Sequence, residues 1–435
     1  MRIVVRSEDA RAAREAQALL AAAGVSAQAL VGVGRPAPDG EDIAIFPATG
    51  DGFAAVVDLA AQALKVESAP MAAIAALPSA SPPPPGPGSL GPFLGAVALD
   101  APPRLLAAQV EAQLRVAAAE EERARRAATA VGLDLKTPAP IETRKFRALY
   151  IGAPSAMFLS LECALAEHGG LVAAAFTSFA GFDHLHDEAF DAVVLNGAQN
   201  PQTALSLCSA LRRNATLYHL PTMVVIAPGD TMSANAAIER GASAVVAANA
   251  PCGPHLGWLF EAIRRERRRD GAEHYLRALR DLMGDARTGL FAHGPFDAHL
   301  KRLASDHHAN GRPLALAALR VLPAHGAREP SAEVWRKGFN EIASLAGRLV
   351  RETDSAAAIG RDLIIVAMPG AKLSSAKRTG ERIASVAACT AFAAGDGGTV
   401  PLIFEQSAAE LQPGESGAGL LARALRAIDV ESIPA

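Results

Sequence analysis

Five short apolar runs follow one another at regular spacing in the middle of the chain, and this pattern constrains the fold more than any other feature. The runs are RALYIG, LVAAAFTS, FDAVVLNG, PTMVVIA and ASAVVAA, and each is followed by a segment long enough for a helix. Strands that alternate with helices in this way form parallel βαβ units. The pattern therefore predicts a flavodoxin-like sheet.

The N-terminal segment shows a similar alternation, with MRIVV, SAQALVGVG, EDIAIFP, MAAIAAL and FLGAVAL as strands. The intervening stretch SASPPPPGPGSLGP cannot form a helix, because proline fixes φ and removes a hydrogen-bond donor. After about residue 270 the pattern changes to a mixture of helices, the strand PLALAALRVL and the hairpin candidate AAAIGRDLIIVAMPG. The predicted class is α/β, with two flavodoxin-like domains followed by a different α/β domain.

Length and these changes of pattern divide the chain into three domains. At roughly 100–200 residues per domain, the 435 residues suggest about three. We predict a first domain at 1–135 with a long C-terminal helix, a linker at 136–146, a second domain at 147–270 and a third at 271–435.

Charge and cysteine content exclude several classes of function. The 42 basic and 45 acidic residues give a net charge of -3, which provides no general field for nucleic acid or for an anionic membrane. We interpret the arginine run at 264–269 as a solvated helix face plus linker. The four cysteines lack CxxC spacing and His184/His186 and His307/His308 lack a third ligand, so we expect no metal site. The absence of a signal peptide pattern and of a long apolar run predicts a cytoplasmic protein without membrane insertion.

The five-strand segment resembles the receiver domain of response regulators, and the N-terminal segment resembles a more divergent receiver, with Pro47 near its acceptor position. Uncharged residues replace the second segment's phosphotransfer groups: Asn196 for the phosphoacceptor Asp, Gly152 and Ala153 for the acidic pair, Ala227 for the hydroxyl residue, and Ala250 beside Pro251 for the Lys. Phosphoryl transfer needs a carboxylate nucleophile and Mg²⁺ ligands. We therefore expect a pseudo-receiver.

The third segment resembles a GGDEF domain, the fold of diguanylate cyclases, over most of residues 272–428. The similarity lies in DARTGLFAHGPF, in GRPLALAALRV and in IGRDLIIVAMPG, where Gly-Arg-Asp-Leu-Ile stands for the signature Gly-Gly-Asp-Glu-Phe. The order receiver, receiver, GGDEF resembles the PleD/PopA type of response regulator. Within that type, the PopA-like members are catalytically inactive effectors of cyclic di-GMP.

The resemblance implies that the cyclase chemistry is lost. Its two Mg²⁺ carboxylates would lie at Arg320 and Leu363, and its second hairpin glycine at Arg361. The segment at 324–331 and the C-terminal DVESIPA lack the family's guanine-reading and phosphate-binding residues. We expect no catalytic residue, no cofactor, no metal site and no substrate pocket.

The resemblance also implies a ligand site for cyclic di-GMP. The family's R-x-x-D motif precedes the hairpin by five residues, and Arg351 and Asp354 stand at that spacing before Gly360. We expect both side chains to point the same way from a terminal helical turn, with Arg382 on the next helix as a further contact. The alternatives are a helix-end salt bridge for Arg351 and Asp354 and a simple exposed charge for Arg382. The motif alone is unspecific, since it recurs at Arg6, Arg267 and Arg426, where we interpret it as surface charge pairs.

The resemblance to the PleD/PopA type implies that the protein acts as an adaptor. Its ligand is cyclic di-GMP, it forms a homodimer, and it brings proteolysis adaptors and substrate regulators of the cell cycle to the ClpXP pathway, with accumulation at a cell pole. The rival interpretations are a ligand-independent scaffold and an active diguanylate cyclase.

Overall fold

A computed structural model describes residues 1–32, 37, 41–48, 53–64, 72–86, 90–139, 144–250, 252–324, 330–389 and 401–428, with the side chains of residues 55 and 252–255 left aside. The chain forms two compact units. Unit 1 comprises Met1–Ala117 and Ile141–Asp270, and unit 2 comprises Ala118–Pro140 and Gly271–Ala435. No helix in the described ranges is long and apolar enough to cross a membrane.

The first sheet of unit 1 is parallel throughout and has the order β2-β1-β3-β4-β5. Its elements are β1 (Ile3–Ser7), α1 (Ala10–Ala22), β2 (Gln28–Val31), β3 (Ile43–Pro47), α2 (Phe53–Ala63), β4 (Ala72–Leu77) and β5 (Phe93–Ala98), followed by α3 (Pro103–Gly132). The described part of the proline-rich loop, residues 78–86, contains no helix, as predicted. Pro47 closes β3, which is where the acceptor position was predicted.

The second sheet of unit 1 repeats this arrangement with the order β10-β9-β8-β6-β7. Its elements are β6 (Arg147–Ile151), α4 (Ala156–Glu167), β7 (Leu171–Ala175), α5 (Ser178–Asp187), β8 (Ala192–Asn196), α6 (Pro201–Arg213), β9 (Thr222–Ile226), α7 (Thr231–Glu239), β10 (Ala244–Ala247) and α8 (Cys252–Leu282). Both sheets have the strand order 2-1-3-4-5 of flavodoxin-like folds. The fold-class prediction is therefore confirmed for both.

The arginine run at 264–269 on α8 is not the solvated face that we expected. The Arg264 guanidinium donates to the Gly86 carbonyl at 2.6 Å, which fastens the proline-rich loop of the first sheet. Arg267 donates to the Asp191 carboxylate at 2.8 Å. Arg264 and Arg267 therefore form structural contacts within unit 1 and do not simply face the solvent.

Unit 2 contains a mixed six-stranded sheet of order β11-β12-β14-β15-β13-β16. Its elements are β11 (Gly284–Asp285), β12 (Leu290–Phe291), α9 (His293–Ala309), β13 (Leu314–Pro323), α10 (Ala332–Leu349), β14 (Ser355–Ile359), β15 (Leu363–Pro369), α11 (Leu373–Ala388), β16 (Leu402–Glu410) and α12 (Gly417–Arg426). The predicted hairpin is confirmed, with β14 and β15 antiparallel and Ile359 opposite Leu363.

Alternate side chains of the central strand β13 enter two separate cores. Leu314 and Leu316 pack with α9 and α12 on one face of the sheet, and Ala315 and Leu319 pack with α10 and α11 on the other. This alternation follows from the two-residue period of a strand. Because both faces are covered, β13 and β15 are apolar along almost their whole length, which made them recognisable in the sequence.

Candidate ligand site

The predicted ligand motif lies in a tight turn between α10 and β14. Helix α10 ends at Leu349, and Val350 is already extended at φ -98° and ψ 163°. The expectation that Arg351 and Asp354 share a terminal helical turn is therefore wrong. The turn closes instead on itself: the Asp354 amide donates to the Arg351 carbonyl at 2.9 Å, and the Asp354 Oδ2 accepts from the Arg351 amide at 3.0 Å.

The two side chains of the motif have different environments. Asp354 is only 7% exposed, and this burial raises the pKa of its carboxyl to about 6, against the lowering influence of the Arg351 amide and of the nearby arginines. Arg351 is exposed. In the part of the chain that the structure describes, its guanidinium forms no hydrogen bond or ion pair. The alternative of a helix-end salt bridge is thus not observed, because the Asp354 carboxylate binds the main chain of Arg351.

Arg382 lies close to the same turn although it comes from α11. Its Nη2 donates to the carbonyl of Leu349, the last residue of α10, at 2.7 Å. A cation at this end of a helix is favourable, because the unpaired carbonyls there carry partial negative charge. The fold therefore fixes the Arg382 guanidinium at Leu349, two positions before Arg351. Arg382 is exposed, but this hydrogen bond holds its charge beside the turn.

Arginines on α3 and α8, which the sequence analysis did not identify, bind the main chain and a side chain of this turn. The Arg126 guanidinium on α3 is fully buried and donates to the carbonyls of Glu352 and Asp354 at 2.8 Å and 2.9 Å. The Glu352 carboxylate pairs with Arg280 on α8 at 3.2 Å and with Arg277 at 3.4 Å. No local pattern marks these arginines, since their partners lie far away along the chain.

Two recurrences of the motif elsewhere, at Arg6 and Arg267, are not the surface pairs that we expected. Arg6 is buried and pairs with Glu41 at 2.6 Å, and Arg267 pairs with Asp191 as described above. Asp429, the acidic member of the last recurrence, lies outside the described residues. Unlike the side chains of Arg6 and Arg267, the Arg351 guanidinium forms no hydrogen bond or ion pair in the described ranges.

The two predicted metal-ligand positions face each other across the sheet. Arg320 on β13 is the register partner of Leu363 on β15. Arg320 donates to Asp362 at 3.0 Å and lies 3.7 Å from Glu405, while Leu363 is 2% exposed in the core. The Asp362 carboxylate is thus already paired with a cation, and neither Arg320 nor Leu363 provides an oxygen ligand for Mg²⁺. In the described ranges, no three His, Cys, Asp or Glu side chains form a group that could hold a metal ion.

The expectation that no substrate pocket remains stays a prediction, but the hairpin does adjoin an open space. A cavity of about 550 Å³ lies beside the hairpin turn and is lined in part by Arg287, Arg336 and Arg361. Gly360 opens that turn at φ +67°, and the indole of Trp335 donates to the Arg361 carbonyl at 3.0 Å. Arginines and an indole therefore form much of the wall of this cavity.

The predicted phosphoacceptor region of unit 1 is closed by its own side chains. The Asn196 amide at the end of β8 donates to the Ala153 carbonyl at 2.9 Å, and the Tyr150 hydroxyl donates to the same carbonyl at 2.8 Å. Gly152 has φ +132°, and a Cβ there would lie 2.9 Å from the Asn196 Cβ. Pro251 lies outside the described residues.

No protein-family model and no curated protein matches the chain. Among solved structures, it is similar to the GGDEF domain of DgcB from Caulobacter crescentus in complex with c-di-GMP, with 21% identity over 34% of this chain and 85% of that one and a TM-score of 0.30. It is also similar to the FimX GGDEF domain from Pseudomonas aeruginosa, with 16% identity, 34% and 91% coverage and a TM-score of 0.29. A putative response regulator from Chloroflexus aurantiacus J-10-fl matches with 20% identity, 28% and 98% coverage and a TM-score of 0.26.

Proposed function

We propose that this chain is an effector that binds cyclic di-GMP at the turn formed by residues 351–354. The observation that carries this proposal is the exposed Arg351 guanidinium, which has no side-chain partner in the described ranges, held in one turn with the Asp354 carboxylate. The turn directly precedes β14, the first strand of the hairpin that resembles the GGDEF signature. Arg382 adds a second cation beside it.

The chemistry of these groups suits a guanine nucleotide. A guanidinium presents a planar fork that matches O6 and N7 of guanine, or two phosphate oxygens. An ionised carboxylate accepts hydrogen bonds from the N–H groups on the Watson–Crick edge of guanine. Two neighbouring cations favour a ligand that carries two phosphodiester charges. Cyclic di-GMP supplies all of these features in one molecule.

Calorimetric titration of the full chain with cyclic di-GMP tests the proposal. Loss of a charge-assisted hydrogen bond that the bound ligand shields from water costs about 2–5 kcal/mol, and each 1.4 kcal/mol is tenfold in affinity. Arg351→Ala should therefore weaken binding roughly 30-fold or more, and Arg351→Lys should restore little of it, because lysine lacks the fork. Arg382→Ala should weaken binding less, since one of its nitrogens already binds Leu349.

Arg426→Ala provides the matched control. Arg426 is also an exposed arginine, but it lies on α12, which packs against the opposite face of the sheet from α10 and α11. Its removal changes the net charge equally and should leave the affinity unchanged. Equal binding by wild type and Arg351→Ala would place the ligand elsewhere, and no binding by wild type would favour the ligand-independent scaffold.

We also propose that the protein makes no cyclic di-GMP and acts through protein partners. The pairing of Arg320 with Asp362 at a predicted metal position supports the first part. The resemblance to the PleD/PopA type supports the second, with a homodimer as the acting form and regulated proteolysis through the ClpXP pathway at a cell pole as its setting. Sedimentation with and without ligand tests the homodimer, and a monomer in both conditions would exclude it.

A further inference from the structure

A fully buried arginine on α3 links the ligand turn to a second charged group. The Arg126 Nη2 bridges the carbonyls of Glu352 and Asp354 at 2.8 Å and 2.9 Å, and its Nε donates to Glu122 at 2.8 Å. The guanidinium also lies over the ring of Phe291, 5.2 Å from its centroid. All of these groups belong to unit 2.

Glu122 is itself held in place by several donors. It is 1% exposed, and its carboxylate contacts Arg125 at 2.6 Å and the His299 Nε2 at 2.8 Å. Burial alone would raise the pKa of Glu122, but the charges of His299, Arg126 and Arg125 lower it to about 2. Glu122 is therefore an ionised anchor that fixes the Arg126 guanidinium, and a rigid guanidinium fixes both carbonyls of the turn.

These contacts determine how the ligand groups are presented. The turn has four residues, and Arg126 binds the carbonyl of its second and of its last residue. Because Arg126 orients the Glu352 and Asp354 carbonyls, the turn keeps the conformation in which the Arg351 amide donates to the Asp354 carboxylate. A turn without this support would sample other backbone conformations, and a ligand would then have to order it on binding, which lowers affinity.

We propose that Arg126 is a positioning residue for cyclic di-GMP binding, which holds the turn in the conformation that presents Arg351 and Asp354 to the ligand. The inference rests on the proposed function. Part of the affinity for cyclic di-GMP then depends on a buried arginine that lies outside the ligand motif.

Arg126→Met tests this inference in the full chain. It should weaken cyclic di-GMP binding roughly tenfold, in keeping with the loss of two hydrogen bonds from a charged donor. Arg423→Met is the control, since Arg423 is a partly buried arginine of unit 2 that binds a carboxylate and a main-chain carbonyl, those of Glu415 and Glu410, but contacts neither the turn nor Glu122. It should lower the melting temperature and leave the affinity unchanged.

The pH profile of binding separates positioning from a general loss of structure. The charges that face Asp354 are Arg351 in the same turn and Arg126 and Glu122 on α3; His299 on α9 and the α8 arginines act at one remove, through Glu122 and Glu352. Since the Arg126 charge lowers the pKa of Asp354, Arg126→Met should move the midpoint of binding to higher pH. Arg126→Lys keeps the charge but loses the fork, so it should weaken binding and leave the midpoint in place.

The outcomes are distinct. Equal affinities for wild type and Arg126→Met, or an equal loss in Arg423→Met, would overturn the positioning role while leaving the proposed function intact. If Arg126→Met does not fold, Arg126→Lys decides: wild-type affinity in that variant would overturn the inference. Absence of binding by wild type would overturn the proposed function, and the ligand role of Arg126 with it.

Discussion

Ionisation of Asp354 should make the stability of unit 2 depend on pH in a defined window. The carboxyl pKa is raised from 3.8 to about 6 by burial. A shift of about 2 units corresponds to about 3 kcal/mol, at 1.36 kcal/mol per unit. Because the folded pKa lies above the unfolded one, the stabilisation is fully present below pH 3.8 and is lost as the pH rises through about 6.

Asp354→Asn isolates this contribution. An asparagine can still accept from the Arg351 amide, but it cannot ionise. We expect the variant to be more stable than the wild type by only about 1 kcal/mol at pH 4.5, where the difference begins to develop, and by about 3 kcal/mol at pH 8. Glu122 does not interfere in this window, since its pKa is lowered from 4.5 to about 2 and its contribution is lost only as the pH falls through that range.

Urea denaturation at a series of pH values measures the difference. The chain has two tryptophans, and Trp335 lies in unit 2 while Trp258 lies in unit 1. In a Trp258→Phe background, fluorescence therefore reports on unit 2 alone, which matters because two units need not unfold together. If the stability curves with and without the Asp354→Asn substitution run parallel between pH 4.5 and 8, the reasoning is refuted.

Two predictions concern the absent chemistry. Incubation with acetyl phosphate should leave the protein's mass unchanged, because Asn196 is no nucleophile and its amide is bound to the Ala153 carbonyl; a phosphate adduct near Asn196 would contradict this. GTP with Mg²⁺ should yield no cyclic di-GMP, and Leu363→Glu alone should not restore synthesis, because Arg320 still occupies the position opposite. Product formed by the wild type would show that this pairing does not prevent metal binding.

The architecture was predictable because the central strands of each sheet are buried and apolar almost throughout. Strands such as β9 are buried at every residue, so composition alone reveals them. The spacing between the ligand motif and the hairpin was also correct, since both are local in sequence. The turn was misjudged because Asp354 bonds to a main-chain amide, and short polar side chains compete with the helix for such groups.

The support of the turn could not be predicted, because it depends on contacts between distant parts of the chain. The run EEERARR reads as a charged helix face, yet Glu122 and Arg126 in it are almost wholly buried. Their partners, His299 and the carbonyls of Glu352 and Asp354, lie more than 170 positions further along. Only the folded chain shows that this run is an internal ion cluster.

The buried carboxylate of Asp354 is an argument for a ligand in its own right. Asparagine would close the same turn without the destabilisation of about 3 kcal/mol that an ionised Asp354 brings above pH 6. A side chain that lowers stability in this way is typical of sites that serve binding or catalysis.

Ligand recognition by the Asp354 carboxylate needs its ionised form, so the affinity for the ligand should rise with pH through about 6 while the stability of unit 2 falls. At pH 6, binding should release a fraction of a proton, which titrations in buffers of different ionisation enthalpy would detect. Proton release that is absent in wild type, or that persists in Asp354→Asn, would separate this carboxylate from the ligand.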